Sequence, residues 1–564
     1  MGKTIRIICW LALLTSLAFA APASKISRDL QTADRNATVD VIVQYMAPPD
    51  DNDHKHIRDN GGNPKAKLPL VKGIAASLPV KALAALANHP KVSYISKNRR
   101  VPSMLDVTAA TTGAALAWQS GWTGAGVGVA IVDSGIATGA NDFEPLNATG
   151  SRVVYSESFV GVADTADHFG HGTHVAGIVG GSGKKSNGVF KGIAPGVNII
   201  NLRALDSTGF GQDSWVIAAI QRAIELKSLY NIRVINLALG RPVYESYRLD
   251  PLCQAAEAAW KAGIVVVAAA GNSGRDNSQG TSGYATIASP GNDPFVLTVG
   301  AMKTLGTAAR GDDLIASYSS KGPTLLDHVV KPDLVAPGNL VVSTFTKDQA
   351  LFGAYPGNEV YRTSFGTASG TAITSTYYKL SGTSMAAPVV SGVVALLLQQ
   401  SPALTPDQVK ARLMKTASKT FPSYSSALDA ATGVVYTSQY DVFTIGAGYL
   451  DATAALASSE IPPPAAAALS PTAVFDSATG VVYMVSDAGA VWGTGAVWGT
   501  GAVWGTSALW GTSALWGTSA LWGTSALWGT QSAQGFGAVW GTGAVWGTGI
   551  TYSQALQTVV NGEF

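Results

Sequence analysis

Asp133 in "AIVDSGI", His171 in "DHFGHGTHVAGIVGG", Asn272 in "AAAGNSG" and Ser384 in "SGTSMAAP" supply a carboxylate, an imidazole, an amide and a hydroxyl. Acyl transfer needs that set. A neutral hydroxyl must lose its proton to a base as it attacks, and imidazole titrates in the right range for that work. A carboxylate holds the ring in one tautomer and stabilises its charged form. The developing oxyanion needs donors already in place, here the Asn272 amide and the Ser384 backbone N–H. Ser384 has a second reading. It directly precedes "MAAPVVSGVVALLLQQ", and on that window alone a Ser at the start of an apolar helix is a cap.

The elements around these residues favour chemistry. From Asp106 to about Ser459, short β-branched runs alternate with helical stretches. "GVGVAIVD", "VNIINLRAL", "IRVINLALG", "GIVVVAAAGN" and "PFVLTVGA" are near-continuous apolar strands, with "DSWVIAAIQRAIELKSLY" and "PLCQAAEAAWKAG" as helices between them. Strands apolar on both faces, alternating with helices, specify an α/β fold: a mostly parallel central sheet with helices on both faces. Ligands bind beyond the carboxyl ends of such strands. Asp133 and Asn272 stand at two such ends.

Composition bounds the rest. Of 564 residues, 38 are basic and 36 acidic, which gives no electrostatic case for a nucleic-acid partner. The opening "MGKTIRIICWLALLTSLAFAAPAS" places Lys3 and Arg6 before an apolar run, and Ala18-Phe19-Ala20 fits a cleavage site. It reads as a secretory signal over 1–20, with no transmembrane segment after its removal and a secreted protein, possible surface association included, as the outcome. Cys9 would leave with the signal and Cys253 would remain as a buried inert thiol, so no intrachain disulfide is expected. Residues 21–105 form a small α+β unit: "TVDVIVQY" and "KVSYIS" read as strands, "PVKALAALANHP" as a short helix, and "APPDDNDHKHIRDNGGNPKAK" as a polar loop. Residues 460–488 read as a Pro/Ala linker with a short β segment. From 489 to 549 "GAVWGT" and "SALWGT" recur every six residues, followed by a tail over 550–564; Trp492 through Trp546 keep one phase and Gln534 fills the missing slot. The repeats read as a weakly ordered tail, or as an indole ladder for a glycan or cell-surface partner.

The four segments, in the chain order Asp, His, Ser, resemble those of the subtilases, the subtilisin-like serine peptidases; "GHGTHVAG" and "GTSMAAP" are the specific ones. The resemblance runs from about Val127 to Leu456. It implies a serine endopeptidase in which Asp133, His171 and Ser384 form a catalytic triad, Asn272 serves the oxyanion, and no cofactor is required. It also implies protein or peptide substrates and structural calcium, with Asp142 near one common ligand position. Gly209 and Gly211 in "STGFGQDSW" match a substrate-pairing edge where a peptide backbone approaches closely. Leu239 and Gly240 match the substrate wall, and Ala269, Ala270 and Gly271 a small-residue pocket. The chain departs from the family at Ala238-Leu239-Gly240-Arg241, where the wall carries a charge. It departs again at Asp213, and in an insertion that begins "KDQALFGAYPGNEVY" beside the nucleophile. The first unit resembles the family's prodomain, a folding template and intramolecular inhibitor, with self-cleavage expected near Met104 or Leu105.

Rival readings fare worse. His168, His171 and His174 lie three apart, but no further Cys or His cluster completes a zinc shell. "GTSMA" lacks the final Gly of an α/β-hydrolase elbow. "GNSG", with Ser273, follows a parallel strand, the wrong context for a chymotrypsin-type nucleophile. The remaining alternative is a non-catalytic surface adhesin that displays the Trp repeats.

Overall fold

The computed structural model describes residues 25–27, 30, 34–35, 37–69, 72–97, 104–137, 139, 141–360, 377–429, 432–462, 467–476, 481–485 and 560–563. The signal segment and the Trp repeats lie outside the described residues. The chain divides into two compact units, Met1–Val101 and Pro102–Phe564.

The first unit is a four-stranded antiparallel sheet in the order β2-β3-β1-β4: β1 (Thr38–Tyr45), β2 (Asn63–Leu68), β3 (Gly73–Pro79) and β4 (Val92–Lys97). Val41, Val43, Ile74, Leu78 and Ile95 face a core closed by Leu83 and Leu86 of the short helix α2 (Leu83–Ala87). The polar stretch expected as a loop instead holds α1 (Asp51–Asp59) and β2. Asp50 caps α1: its carboxylate accepts the Asn52 and Asp53 N–H groups at 2.8 and 3.0 Å, and Asp53 reaches back to the Asp50 N–H at 2.9 Å. Ile57 is the only apolar residue that α1 buries, so the helix leaves no apolar periodicity to read.

The second unit is built on strands β5 (Gly128–Asp133), β6 (Val153–Ser158), β7 (Asn198–Arg203), β8 (Ile232–Leu237), β9 (Val265–Ala269) and β10 (Leu297–Lys303). They pair in parallel in the order β6-β7-β5-β8-β9-β10. β11 (Leu314–Ile315) joins β10 antiparallel and β12 (Leu334–Pro337) joins it parallel. From β5 the chain passes to the edge strand β6, returns through β7, and then crosses to β8, β9 and β10 on the other side, so the end of β5 is a topological switch point and Asp133 occupies it. β5, β9 and β10 are buried along their whole length, as a sheet covered on both faces requires. α4 (His171–Gly180) and α7 (Thr383–Gln400) pack together against the sheet; α5 (Asp213–Glu225) and α6 (Pro251–Lys261) pack together as a second pair. α7 is the one helix among the described residues long and apolar enough to cross a membrane, and it is the buried core helix of this unit.

The segment after residue 459 does not behave as a free linker. Ala468 is buried and donates its N–H to Asp407 at 2.7 Å. Ser470 accepts the Lys410 ammonium at 2.9 Å, and the Val330 N–H donates to the Pro471 carbonyl at 2.8 Å. β13 (Thr472–Asp476) and β14 (Val481–Val485) form a hairpin whose Ala473 N–H donates to the His328 carbonyl at 2.8 Å. Composition reads this stretch as a linker with a short β segment; its described residues 467–473 are held by specific partners across the unit.

Under it lies a fully buried charge cluster. Asp333 meets Lys331 Nζ at 2.7 Å and Lys410 Nζ at 3.2 Å, and accepts the Thr298 N–H at 2.7 Å. Burial pushes the Asp333 carboxyl up, yet the two lysines hold it below the usual range. Lys410, desolvated, is drawn down to about 7. Removing one partner of a buried ion pair strands the other at a cost of about 3–5 kcal/mol. Asp333→Asn is therefore expected to lower unfolding stability on that scale by calorimetry or denaturant titration. A change within about 0.5 kcal/mol, the size of an ordinary surface substitution, would remove the cluster from the account of this fold.

Candidate active site

Asp133 and His171 meet at the carboxyl end of β5. The His171 Nδ1–H donates to Asp133 Oδ1 at 2.8 Å, and both residues are buried. The Asp133 carbonyl also accepts the N–H groups of Ala204 and Leu205 at 2.8 and 3.1 Å, which ties the strand end to the end of β7. Burial opposes the imidazolium, but the charge and hydrogen bond of Asp133, with a smaller pull from Asp167, outweigh it and raise His171 above the ordinary histidine value.

Asp167, which the sequence did not single out, fixes the start of the His171 helix. Its Oδ1 accepts the Gly170 N–H at 2.7 Å and the Ser134 hydroxyl at 2.9 Å. Its Oδ2 accepts the Thr173 N–H at 2.8 Å and hydroxyl at 2.7 Å. Ser134 Oγ in turn accepts the Gly172 N–H at 2.9 Å, so the residue after Asp133 is stitched to the residue after His171. The insertion contributes here. Gln349 donates its amide to Asp167 Oδ2 at 3.1 Å and to Thr173 Oγ1 at 2.8 Å. A signal existed in the sequence: an Asp four residues before the His, at the mouth of a helix, where backbone N–H groups lack partners.

Ser384 is not the cap of its helix. α7 begins at Thr383, its cap is Gly382, and no side chain caps it. Ser384 thus stands in the first turn with its hydroxyl unspent on capping, where the dipole is positive. Thr383 joins this turn to Asn272. Its Oγ1 accepts the Gly271 N–H at 3.0 Å and donates to Asn272 Oδ1 at 3.1 Å, and its backbone N–H donates to the same oxygen at 2.9 Å. With Oδ1 taken twice, the Asn272 Nδ2 donors are left for another acceptor. Gly382 makes room: a Cβ there would fall 3.1 Å from Asn272 Nδ2, and its φ of +140° disfavours any side chain. α4 and α7 pack against each other, so His171 and Ser384 begin neighbouring helices.

The residues expected to bind substrate have structural reasons of their own. Gly209, at φ +83°, lies where a Cβ would press 2.5 Å from the Phe169 ring, and Gly211 where one would meet the Ala204 carbonyl at 2.6 Å. Their missing side chains accommodate the chain's own packing. Leu239 is half-buried and Gly240 approaches the Ser289 carbonyl. Ala269 and Ala270 are buried, while Gly271 and Asn272 are half-buried. The positive charge expected on the wall is paired: Arg241 Nε meets both Asp213 carboxylate oxygens at 3.0 Å, and its Nη2 meets Asp250 at 2.8 Å. The two departures from the family motif, Asp213 and Arg241, are partners.

The other histidines stand apart from this chemistry. His174 donates Nε2–H to the carbonyls of Val341 and Tyr378 at 3.1 and 3.0 Å; burial pulls it down to about 3, so it is a neutral brace. His168 is exposed beside Asp164. Cys253 is a free, buried thiol that burial pushes up and out of reactive range. The residues around Asp142 do not fit calcium, which takes six to eight oxygen ligands. Asp142 Oδ1 accepts the Lys185 N–H at 2.9 Å, Oδ2 accepts the Tyr377 hydroxyl, and the neighbouring Glu144 is occupied by the Lys184 ammonium at 2.6 Å.

Comparison with known proteins bears on the family of the chain. The model of the Subtilase family matches residues 124–439. Serine protease AprX of Bacillus subtilis (strain 168) is 34% identical over 367 residues, covering 63% of this chain and 76% of that protein. Subtilisin E of the same organism is 31% identical over 417 residues, covering 72% and 93%. Among solved structures, a cold adapted subtilisin-like serine proteinase aligns at 30% identity over 53% of this chain and 84% of that one, with a TM-score of 0.38.

A general base works only when neutral, so activity is expected to rise with pH through the His171 midpoint, displaced above the ordinary value of about 6.5. Asp133→Asn removes the main pull and should move the kcat/KM midpoint down. Asp167→Asn should move it less and in the same direction. A midpoint unmoved in both variants would separate the titrating group from His171. Gly382→Ala is expected to cut kcat by on the order of 10²–10³, the loss known for removal of one oxyanion donor from subtilisin itself. An unchanged kcat would mean that the Asn272 amide does not meet the developing charge.

Proposed function

The chain belongs to the subtilase family and is a serine-type endopeptidase, and we propose that Ser384 is its nucleophile, His171 its general base and Asp133 the carboxylate that orients His171. The observation that carries this assignment is the 2.8 Å bond from His171 Nδ1 to Asp133 Oδ1 at the switch point of the sheet. That bond presents the opposite ring nitrogen, Nε2, as the base. Ser384 Oγ attacks the peptide carbonyl as its proton passes to Nε2. The Asn272 amide and the Ser384 N–H receive the oxyanion. Protonated His171 then donates to the leaving amine, which leaves an acyl-enzyme. Water activated by His171 releases the acid and restores Ser384.

The substrate is a polypeptide laid between the Gly209–Gly211 edge and the Leu239–Gly240 wall, over Gly271, with Ala269 and Ala270 as a buried floor. Because Arg241 is held by Asp213 and Asp250, the wall presents no unpaired positive charge to substrate.

The protein is exported by its first 20 residues and matures by cutting itself near Met104 or Leu105, close to the division between the two units at Val101 and Pro102. The first unit serves until then as folding template and inhibitor. A parallel sheet closed by non-local contacts folds slowly, which gives a template physical sense. The indole ladder of the repeats suits attachment to glycans at a cell surface.

The test is labelling by a serine-reactive fluorophosphonate. The matured protein should be labelled at one site, and Ser384→Ala should be unlabelled and accumulate as a precursor retaining residues 21–105. Absence of labelling in the mature wild type would favour the adhesin reading. Normal maturation of Ser384→Ala would refute self-processing while leaving the peptidase assignment intact.

A further inference from the structure

A carboxylate that no motif announces lies inside the second unit. Glu563, beyond the Trp repeats, is 4% exposed. Its Oε1 accepts from Arg275 Nη2 at 3.0 Å and from the Ser317 hydroxyl. Its Oε2 accepts the Ser317 N–H at 2.9 Å and stands 3.5 Å from Lys303 Nζ. The main chain is held as well: Asn339 Nδ2 donates to the Glu563 carbonyl at 2.7 Å, and Asn339 Oδ1 accepts the Glu563 N–H at 2.8 Å. Upstream, Val560 is buried in the main core and its carbonyl accepts from Asn358. Gly562, at φ +63°, runs so close to the turn before the nucleophile that a Cβ would fall 2.4 Å from Ser381 Oγ and 2.6 Å from Leu340 Cδ2.

The site looks made for this occupant. Lys303 is buried, and Glu563 is the only carboxylate within ion-pair distance of it among the described residues. A buried ammonium without an acid is strongly disfavoured. The paired Asn339 bonds read a peptide backbone, and the Arg275, Lys303 and Ser317 groups read one side-chain carboxylate. At the other end of the repeats, Ala468 and Ser470 are packed into the same unit.

We propose that Arg275, Lys303, Ser317 and Asn339 form an internal receptor for the segment Val560–Glu563, so that the Trp repeats are presented as a loop fastened at both ends to the peptidase unit. The fastening point adjoins Ser381, three residues before the proposed nucleophile, so the loop re-enters the unit near the mouth of the active site. A cut among the repeats then leaves the distal part attached without a covalent link.

The experiment uses the full chain carrying Ser384→Ala, nicked within the repeats by a protease that cleaves after Trp and then gel-filtered. Mass spectrometry is expected to find the fragment bearing Val560–Glu563 in the same peak as the second unit. In a Glu563→Ala background that fragment should be lost from the peak. Departure of the fragment from the unvaried chain while the unit stays folded overturns the proposal, as does equal retention in Glu563→Ala. Hydrogen exchange on the unnicked, otherwise unvaried chain gives a second reading that does not depend on the Glu563 variant folding. The Ser317 and Glu563 amides should be protected, and exchange of both at the rate of an open peptide overturns the proposal. Neither readout is enzymatic, so the result stands apart from the roles assigned to the triad.

Discussion

The hydrogen bond from His171 to Asp133 is the interaction on which the rest of the site depends, because it settles which ring nitrogen faces outward. Two separate frameworks must agree for it to form. Asp133 is set by the sheet: β5 is central, buried along its length, and its last carbonyl is held by two N–H groups beyond β7. His171 is set by Asp167, which gathers the partnerless N–H groups of the first turn of α4 and gives them acceptors. Ser134 joins the two frameworks by touching Asp167 and the Gly172 N–H at once. A small slip in either would separate donor from acceptor, so the surrounding polar network acts as a jig. Gln349, from an insertion that looked incidental in sequence, is part of that jig.

The opposite wall of the site is governed by a steric constraint. Thr383 makes two hydrogen bonds to Asn272 and accepts a third from the Gly271 N–H, and the turn that brings them together needs a residue without a Cβ at 382. One side of the active site is thus fixed by charge and the other by the absence of atoms. The same economy explains Gly209 and Gly211, whose bareness serves internal packing before any substrate arrives.

The sheet and the Asp133–His171 pair were legible because their signals are local. Apolar runs such as "GVGVAIVD" and "GIVVVAAAGN" fall on β5 and β9, and the polar residue beyond each is one that the proposed mechanism uses. What escaped reading has no local signature. α1 buries one aliphatic residue, so its helix rests on a capping box rather than on periodicity. Arg241 and Asp213 were each visible as oddities, but their pairing joins residues distant in sequence. The cap reading of Ser384 failed by two positions, since Gly382 caps the helix and the Ser falls inside its first turn. Pro and Ala in the stretch after residue 459 suggested a spacer. Ala468 and Ser470 are nevertheless fixed by Asp407 and Lys410, whose availability no reading of that stretch alone could reveal.

Those last contacts point to a division of labour between apolar and charged burial. The core of the second unit is aliphatic, and its stability follows from area removed from water. The buried ionic clusters lie where appended chain meets that core: Asp333 with Lys331 and Lys410 beneath Ser470, and Glu563 with Lys303 and Arg275 beside Ser317. Both appended segments fall outside the family match at 124–439. A buried ion pair adds little over a well-packed apolar pair, yet a wrong placement that strands one charge is heavily penalised. Charge is therefore suited to choosing where an added segment sits, and apolar area to keeping it there.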